Sequence, residues 1–262
     1  MARQRMGQHF LGDSGWRGRI LKTLSPAANE TWIEIGAGHG EMTQLLAGQG
    51  RRIIAIEADA RLAQDLQQKI AAHPGDWPGV EVVPQDVLTV DLEKLAAGGF
   101  RVYGNLPYYI TSPILRRLFD CAGRIASIHI VIQLEVAERI VAPPGRSEHG
   151  YLSALCQFYA KPRIALKIPP GAFRPPPRVN SALVQMSLPG ERAALGITDE
   201  KRFLEFVQEC FGQKRKTLRN NLRALADGQR ILQALAACGV RADARAEQLT
   251  LAQFASLFAE LS

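Results

Sequence analysis

At 262 residues, with 47% hydrophobic and 22% charged residues, the chain has the length and composition of one or two globular domains with a substantial core. No stretch approaches the ~20 consecutive apolar residues of a membrane span, and the opening Met1-Ala2-Arg3-Gln4-Arg5 lacks the apolar core of a secretory leader. A net charge of +7 suits a polyanionic partner, while four scattered cysteines and five dispersed histidines predict reduced thiols, a cytoplasmic location and no metal site.

The first 22 residues carry Arg3, Arg5, Arg17, Arg19 and Lys22 against Asp13 alone. Between them Gly7-Gln8-His9-Phe10-Leu11 is too polar for a lone strand and too apolar for a free tail, so an arm folding back over a ligand is expected. Asp13 or Ser14 then caps a helix with Trp16, Ile20, Leu21 and Leu24 inward, ended by Pro26.

Thr31 to Ile35 reads as an apolar strand running into Gly36-Ala37-Gly38-His39-Gly40, with a helix after it. Glycines there let the backbone approach a ligand closely, and the helix N-terminus would face it. The spacing is G-x-G-x-G, since Glu41 stands where a dinucleotide motif has its third glycine. Glu34 argues against a pyrophosphate and favours a ligand bearing positive charge. A second strand, Arg52 to Ile56, ends in Glu57, 21 residues after Gly36, where an acid receives the two hydroxyls of a ribose. The third, Val80 to Pro84, ends at Gln85-Asp86, whose carboxylate can accept from an adenine amine.

The fourth strand, from Phe100 to Tyr103, ends at Gly104-Asn105-Leu106-Pro107-Tyr108. Pro107 keeps Leu106 out of the helical region and the backbone open. The Asn105 amide and the Leu106 carbonyl can both accept hydrogen bonds from an exocyclic amine, and Tyr108 can stack on the base that carries it. Thr111 is placed to cap the next helix. A strand follows over Ala126 to Ile132, then helices over Glu135 to Val141 and Tyr151 to Tyr159, and strands over Ile164 to Ile168 and Ala182 to Leu188. Between the last two, the proline-rich 169–181 segment would hold Phe173 against a base turned out of its helix.

Pro189 to Thr198 reads as a linker, giving domains at 1–189 and 199–262, the second all helical. From Lys201 to Arg223 there are seven Lys/Arg against two Glu, and Arg215, Arg219 and Arg223 recur every four residues. On a helix they share one exposed face, which suits RNA phosphates.

The glycine turn, Glu57, Gln85-Asp86 and Asn105-Leu106-Pro107-Tyr108 together resemble the S-adenosylmethionine-dependent Rossmann-like methyltransferases. With Gly7 to Leu11, Phe173-Arg174-Pro175-Pro176-Pro177-Arg178-Val179-Asn180-Ser181 and the basic 211–222 segment, the chain resembles the ribosomal RNA adenine dimethyltransferase family over nearly its whole length. That resemblance implies an α/β fold with a small helical C-terminal domain, S-adenosylmethionine as cofactor, and cofactor contacts at His9, Leu11, Gly36, Glu57, Asp86 and Asn105. It implies Asn105, Leu106, Tyr108 and Phe173 around the target base. The implied reaction is dimethylation of two adjacent adenosines in the loop of the 3′-terminal helix of 16S ribosomal RNA, by a monomer acting on the small subunit or its precursor. His9 stands where the family often has Asn, and Asn180 where it often has Asp. Two other readings are a large-subunit RNA methyltransferase of the macrolide-resistance type and a non-catalytic assembly factor. Gly212 to Leu222 argues against the first, and the intact Asn105 to Tyr108 against the second.

Overall fold

The computed structural model describes residues 9–49, 52–107 and 110–261. Five strands, β1 (Thr31–Ile35), β2 (Arg52–Ile56), β3 (Val80–Val83), β4 (Phe100–Asn105) and β5 (Ile125–Gln133), are joined by helical crossovers and pair in parallel. With β6 (Lys161–Ile168) and β7 (Ser181–Ser187) they form one sheet ordered β3-β2-β1-β4-β5-β7-β6, β7 running antiparallel to β5. Near-continuous apolar runs such as Trp32 to Ile35 and Ile53 to Ile56 are what a sheet covered on both faces requires.

The coverings are α1 (Ser14–Leu24), α2 (Glu41–Ala47), α3 (Ala60–Ala72), α4 (Leu92–Leu95) and α5 (Thr111–Phe119). Asp13 caps α1 by accepting from the Trp16 N–H, and Asp59 caps α3 through Arg61. At the far end of α1, Ser25 takes a left-handed conformation (φ 45°) and returns its N–H to Leu21. Ile20 and Leu24 of α1 enter one apolar cluster with Trp32, Met42, Leu46, Ile53, Tyr103 and Leu183. Thr111 does not cap α5 as expected. Ile110 occupies that position, and Thr111 is the first helical residue.

The chain divides into two compact units. One runs to Ala137 and includes Arg163–Leu188; the other holds Glu138–Pro162 and Pro189–Ser262. The sequence pattern assigns 138–162 to the first domain. In the structure this stretch, with part of α6 (Leu134–Val141) and all of α7 (Tyr151–Tyr159), belongs to the C-terminal unit. There Phe158 meets the Phe203 ring at 5.3 Å and the Tyr159 hydroxyl donates to Glu200. The expected linker is packed as well. A β-carbon at Gly190 would lie 2.4 Å from the Gln157 carbonyl oxygen, so no other residue fits there, and α8 (Arg192–Leu195) follows.

The remaining helices are α9 (Glu200–Cys210), α10 (Leu218–Asn221), α11 (Gly228–Ala237) and α12 (Leu251–Leu261). The basic segment between α9 and α11 is not the continuous helix its four-residue spacing suggested. Residues 211–216 are turns, and α10 is a single turn. Asn221 explains this locally. Its side-chain amide donates to the Cys210 carbonyl at 2.6 Å and the Gln213 carbonyl at 3.3 Å, tying the end of α9 into a loop. Arg215, Arg219 and Arg223 therefore share no helical stripe, and the exposed cations of the loop are Lys214, Arg215 and Lys216. Among the described residues no helix is long and apolar enough to cross a membrane, and no group of three or more His, Cys, Asp or Glu could hold a metal.

Candidate active site

The order β3-β2-β1-β4-β5 reverses direction between β1 and β4, the crevice where open α/β sheets take their ligands. Gly36 follows β1 on one side of it and Asn105 ends β4 on the other, with the Asn105 carbonyl oxygen 3.9 Å from where a Gly36 β-carbon would stand. The glycine turn has φ values of 75°, 57° and 87° at Gly36, Gly38 and Gly40, a left-handed run that L side chains resist. Gly36 and Ala37 donate their N–H groups to the Ile56 carbonyl, at 2.8 Å and 3.3 Å.

Glu57 is buried, and its two oxygens take the N–H groups of Gly38 and Asp59 at 2.8 Å and 2.9 Å. Each carboxylate oxygen has two acceptor sites, so one on each is left for a diol. Asp86 is exposed beyond β3, where one of its oxygens takes the Leu88 N–H at 2.9 Å. It lies at the same end of the sheet, two strands away from the crevice.

Beneath the turn lies Glu34, buried on β1 and facing Tyr103 across to β4. Burial pushes its carboxyl up to about 8, Thr43 pulls the other way, and Glu41 and Glu57 add to the rise.

Asn105 is half-buried, and Leu106 carries its side chain into the core at 2% exposure. Among the described residues no main-chain N–H donates to the Leu106 carbonyl. Tyr108 lies outside the described residues.

The arm crosses this crevice. Phe10 pairs antiparallel with Arg174, its N–H giving to the Arg174 carbonyl at 3.0 Å and its carbonyl accepting at 2.8 Å. Its ring stands 4.9 Å from the His39 ring and against Gly38, where a β-carbon would come within 2.9 Å of Phe10 Cε1. The His9 imidazole contacts the Pro175 carbonyl at 2.7 Å, which places the proton on Nδ1, and the Asn105 amide donates to the His9 main-chain carbonyl at 2.7 Å. Leu11 turns its side chain into the core.

One expected residue is elsewhere. Phe173, expected to stack on a base, is 1% exposed and lies in the same cluster as Leu11, Ile168 and Ala172. Burying such a ring stabilises by about 1.5–3 kcal/mol, which outweighs presenting it to solvent. It anchors the proline-rich loop instead. Arg17, which holds the arm, and Arg174, whose guanidinium braces the proline-rich loop, escape sequence reasoning, because their partners are main-chain carbonyls that carry no side-chain signal.

A carboxylate for hydroxyls, a backbone cradle of glycines and an amide–carbonyl acceptor pair at one switch point can hold a nucleoside-bearing cofactor and an amine together. The donor set fits S-adenosylmethionine, with Glu57 for the ribose; Glu34, buried and kept protonated near neutral pH, is not the anion for a cationic ligand that the sequence suggested. A family model described as ribosomal RNA adenine dimethylase matches residues 1–262. A ribosomal RNA small subunit methyltransferase A from Xanthomonas campestris pv. campestris is 41% identical over 257 residues, 98% of this chain and 95% of that one. One of the same description from Koribacter versatilis is 38% identical over 98% and 93%. Among solved structures, a dimethyladenosine transferase from Plasmodium falciparum superposes with a TM-score of 0.80 at 23% identity, over 95% of this chain and 96% of that one. The 23S rRNA methyltransferase ErmE superposes at 0.73 with 28% identity, over 96% and 99%.

Proposed function

The chain belongs to the ribosomal RNA adenine dimethylase family, and from that premise we infer that it dimethylates the exocyclic amines of adenosines in small-subunit ribosomal RNA. The observation that carries the chemistry is the pair of acceptors, Asn105 Oδ1 and the Leu106 carbonyl, at the end of β4 across the switch point from the glycine turn. The substrate is the small ribosomal subunit or its precursor, and the targets are two adjacent adenosines in the loop of the 3′-terminal helix of 16S RNA. The protein acts as a cytoplasmic monomer.

An adenine amine is a poor nucleophile because its lone pair is delocalised into the ring. Two acceptors taking its two N–H groups draw it towards a pyramidal geometry and localise that pair. Bound S-adenosylmethionine supplies the methyl group as an electrophile. Gly36 and Glu57 would hold it, with Asp86 at its base and the arm, at His9 and the main chain of Leu11, closing over it. Tyr108 would stack on the target base. The excess proton passes to water after transfer, so no side chain needs to act as a base. After the first methyl the amine keeps one hydrogen, and the second transfer can use only one acceptor. The catalytic work is positioning and electrostatics.

A large-subunit target is the competing reading, favoured by the superposition on ErmE. The 41% identity to small-subunit enzymes, against 28% to ErmE, weighs for the small subunit. Purified protein, S-adenosylmethionine and subunits from a strain lacking the modification decide it by mass mapping of adenosines. Two doubly methylated adjacent adenosines in 16S RNA are expected; methyl groups gained only by large-subunit RNA would overturn the assignment. Asn105→Ala should bind subunits normally and lower transfer by about 10²–10³-fold, the usual cost of losing one preorganised partner. Turnover near wild type in that folded variant would remove Asn105 from the mechanism.

A further inference from the structure

An Asn amide has two ends of opposite character, and only one of them can receive an amine's hydrogens. We propose that the main-chain carbonyl of His9, on the arm that Arg17 fastens through the Leu11 and Gly12 carbonyls, is a positioning element for methyl transfer: it turns the Asn105 amide so that Oδ1 faces the target amine. The inference rests on the role given to Asn105 above. A carbonyl can only accept, so the 2.7 Å contact assigns the NH2 end of Asn105 to His9 and leaves the oxygen for the crevice. Turned over, the amide would set oxygen against oxygen at His9 and point N–H at the N–H of the amine. Both contacts are repulsive.

The carbonyl must therefore stay in place, and the arm is tied down for that. Phe10 pairs with Arg174, His9 Nδ1 holds Pro175, and the Asp13 N–H gives to the Ala172 carbonyl at 3.1 Å. Arg17 closes the set. One guanidinium nitrogen donates to the Leu11 carbonyl at 2.8 Å and the Gly12 carbonyl at 3.0 Å, the two residues between His9–Phe10 and the cap of α1. A cation this close to a helix N-terminus is disfavoured by the macrodipole. The two carbonyls offset that and explain why it is there. Further along the same helix, Ile20 and Leu24 are fully buried, so Arg17 links the arm to the core. It touches neither Asn105 nor the reacting atoms. Its effect runs through the carbonyls.

The test uses the full chain with Arg17→Ala and Arg17→Lys, alone and combined with Asn105→Ala. At saturating cofactor and subunits, Arg17→Ala should lower kcat roughly ten- to a hundredfold, as a small misplacement of a reacting group does. KM for subunits and the melting temperature should hardly move, and Lys should restore part of the rate. In the Asn105→Ala background the same change should cost nothing further, because the amide it positions is gone. A readout free of turnover comes from labelling the side-chain amides of the five asparagines with nitrogen-15. The Asn105 signal, identified by its loss in Asn105→Ala, should shift and exchange faster in Arg17→Ala and return in Arg17→Lys. An unchanged kcat together with an unchanged Asn105 signal would overturn the proposal. So would an equal loss of rate on top of Asn105→Ala, which would place the effect of Arg17 elsewhere. Wild-type turnover by Asn105→Ala itself is a different result: it removes the role of Asn105, and the inference with it.

Discussion

Glu34 is a carboxyl with nowhere to put a charge. It is 3% exposed on β1, faces the buried Tyr103, and has one oxygen without a hydrogen-bond partner among the described residues. Desolvation raises its pKa from 4.5 to about 8, with Glu41 and Glu57 pushing the same way. Between those two values the folded protein holds a proton that the unfolded chain has released, so stability must fall as pH rises through that window. Glu34→Gln keeps the shape and removes the titration. Measured without cofactor, its stability relative to wild type should climb by up to about 1.4 kcal/mol for each pH unit within the window. Parallel melting curves for the two proteins from about pH 5 to about pH 8.5 would show the charge settled elsewhere. The residues of the site were legible to different degrees for one reason. Gly36, Glu57 and Asn105 stand at strand ends, and short-range pattern fixes where a strand ends. Phe173 sits in a loop, and nothing in a run of prolines says which face of it meets the core.

Among the helices and strands, one side chain fastens α1 to the sheet. Arg101, at the start of β4, donates to the Leu24 carbonyl at 2.7 Å and to the Ser25 carbonyl, both at the end of α1. It also pairs with Glu30 at 2.9 Å, gives to the Ser127 hydroxyl, and lies over the Trp32 ring at 4.3 Å. Burial works against a charge on Glu30, but hydrogen bonds from Ala27, Arg101 and Trp32 hold it below the ordinary carboxylate range. Beside them His129 is buried, and burial with the charges of Arg101 and Arg163 lowers its pKa to about 3, so it packs as a neutral ring. Arg101→Leu removes the side-chain donor to the Leu24 and Ser25 carbonyls and the ion pair of Glu30, which keeps its bonds from Ala27 and Trp32. It should destabilise the protein by about 2–4 kcal/mol in denaturant melts. Cofactor affinity should hold, since Arg101 stands at the opposite end of β4 from Asn105. Parallel strands, the Asp13 cap of α1 and most boundaries could be read from the sequence, because caps and apolar runs act locally, although Thr111 proved not to cap α5. Arg101 could not, since its partners in and after α1 lie 71 to 77 residues away.

The molecule divides into two compact units, and we expect chemistry and substrate recognition to fall to different ones. Lys214, Arg215 and Lys216 stand exposed on the loop that Asn221 ties down, and we expect this loop to follow RNA phosphates. Changing all three to Gln should weaken binding to small subunits. For every phosphate no longer neutralised, the slope of log affinity against log salt should flatten by about 0.7–0.9. Titrations at several salt concentrations, with S-adenosylmethionine affinity as the control, decide it; an unchanged slope would make the loop a solvated surface only. The charge was plain in the sequence, but its shape was not. Arginines spaced by four look helical wherever they occur, whereas in the structure the segment is a loop tied by Asn221 folded back on Cys210. The unit boundaries escaped for a like reason, since α7 is apolar enough to suit either unit and finds its aromatic partners after residue 199.

The arm has a consequence in time. His9 is made early, yet its partner Pro175 follows 166 residues later. At the usual pace of synthesis that is a delay of roughly 10–30 s. Until then a growing chain can carry the glycine turn and Asn105 but lacks the loop that ties down His9. Such long-range pairing also forms late in folding, after local helices and neighbouring strands. Nascent chains stalled before residue 175 should therefore be unable to transfer methyl groups, and competence waits for the loop that carries Pro175.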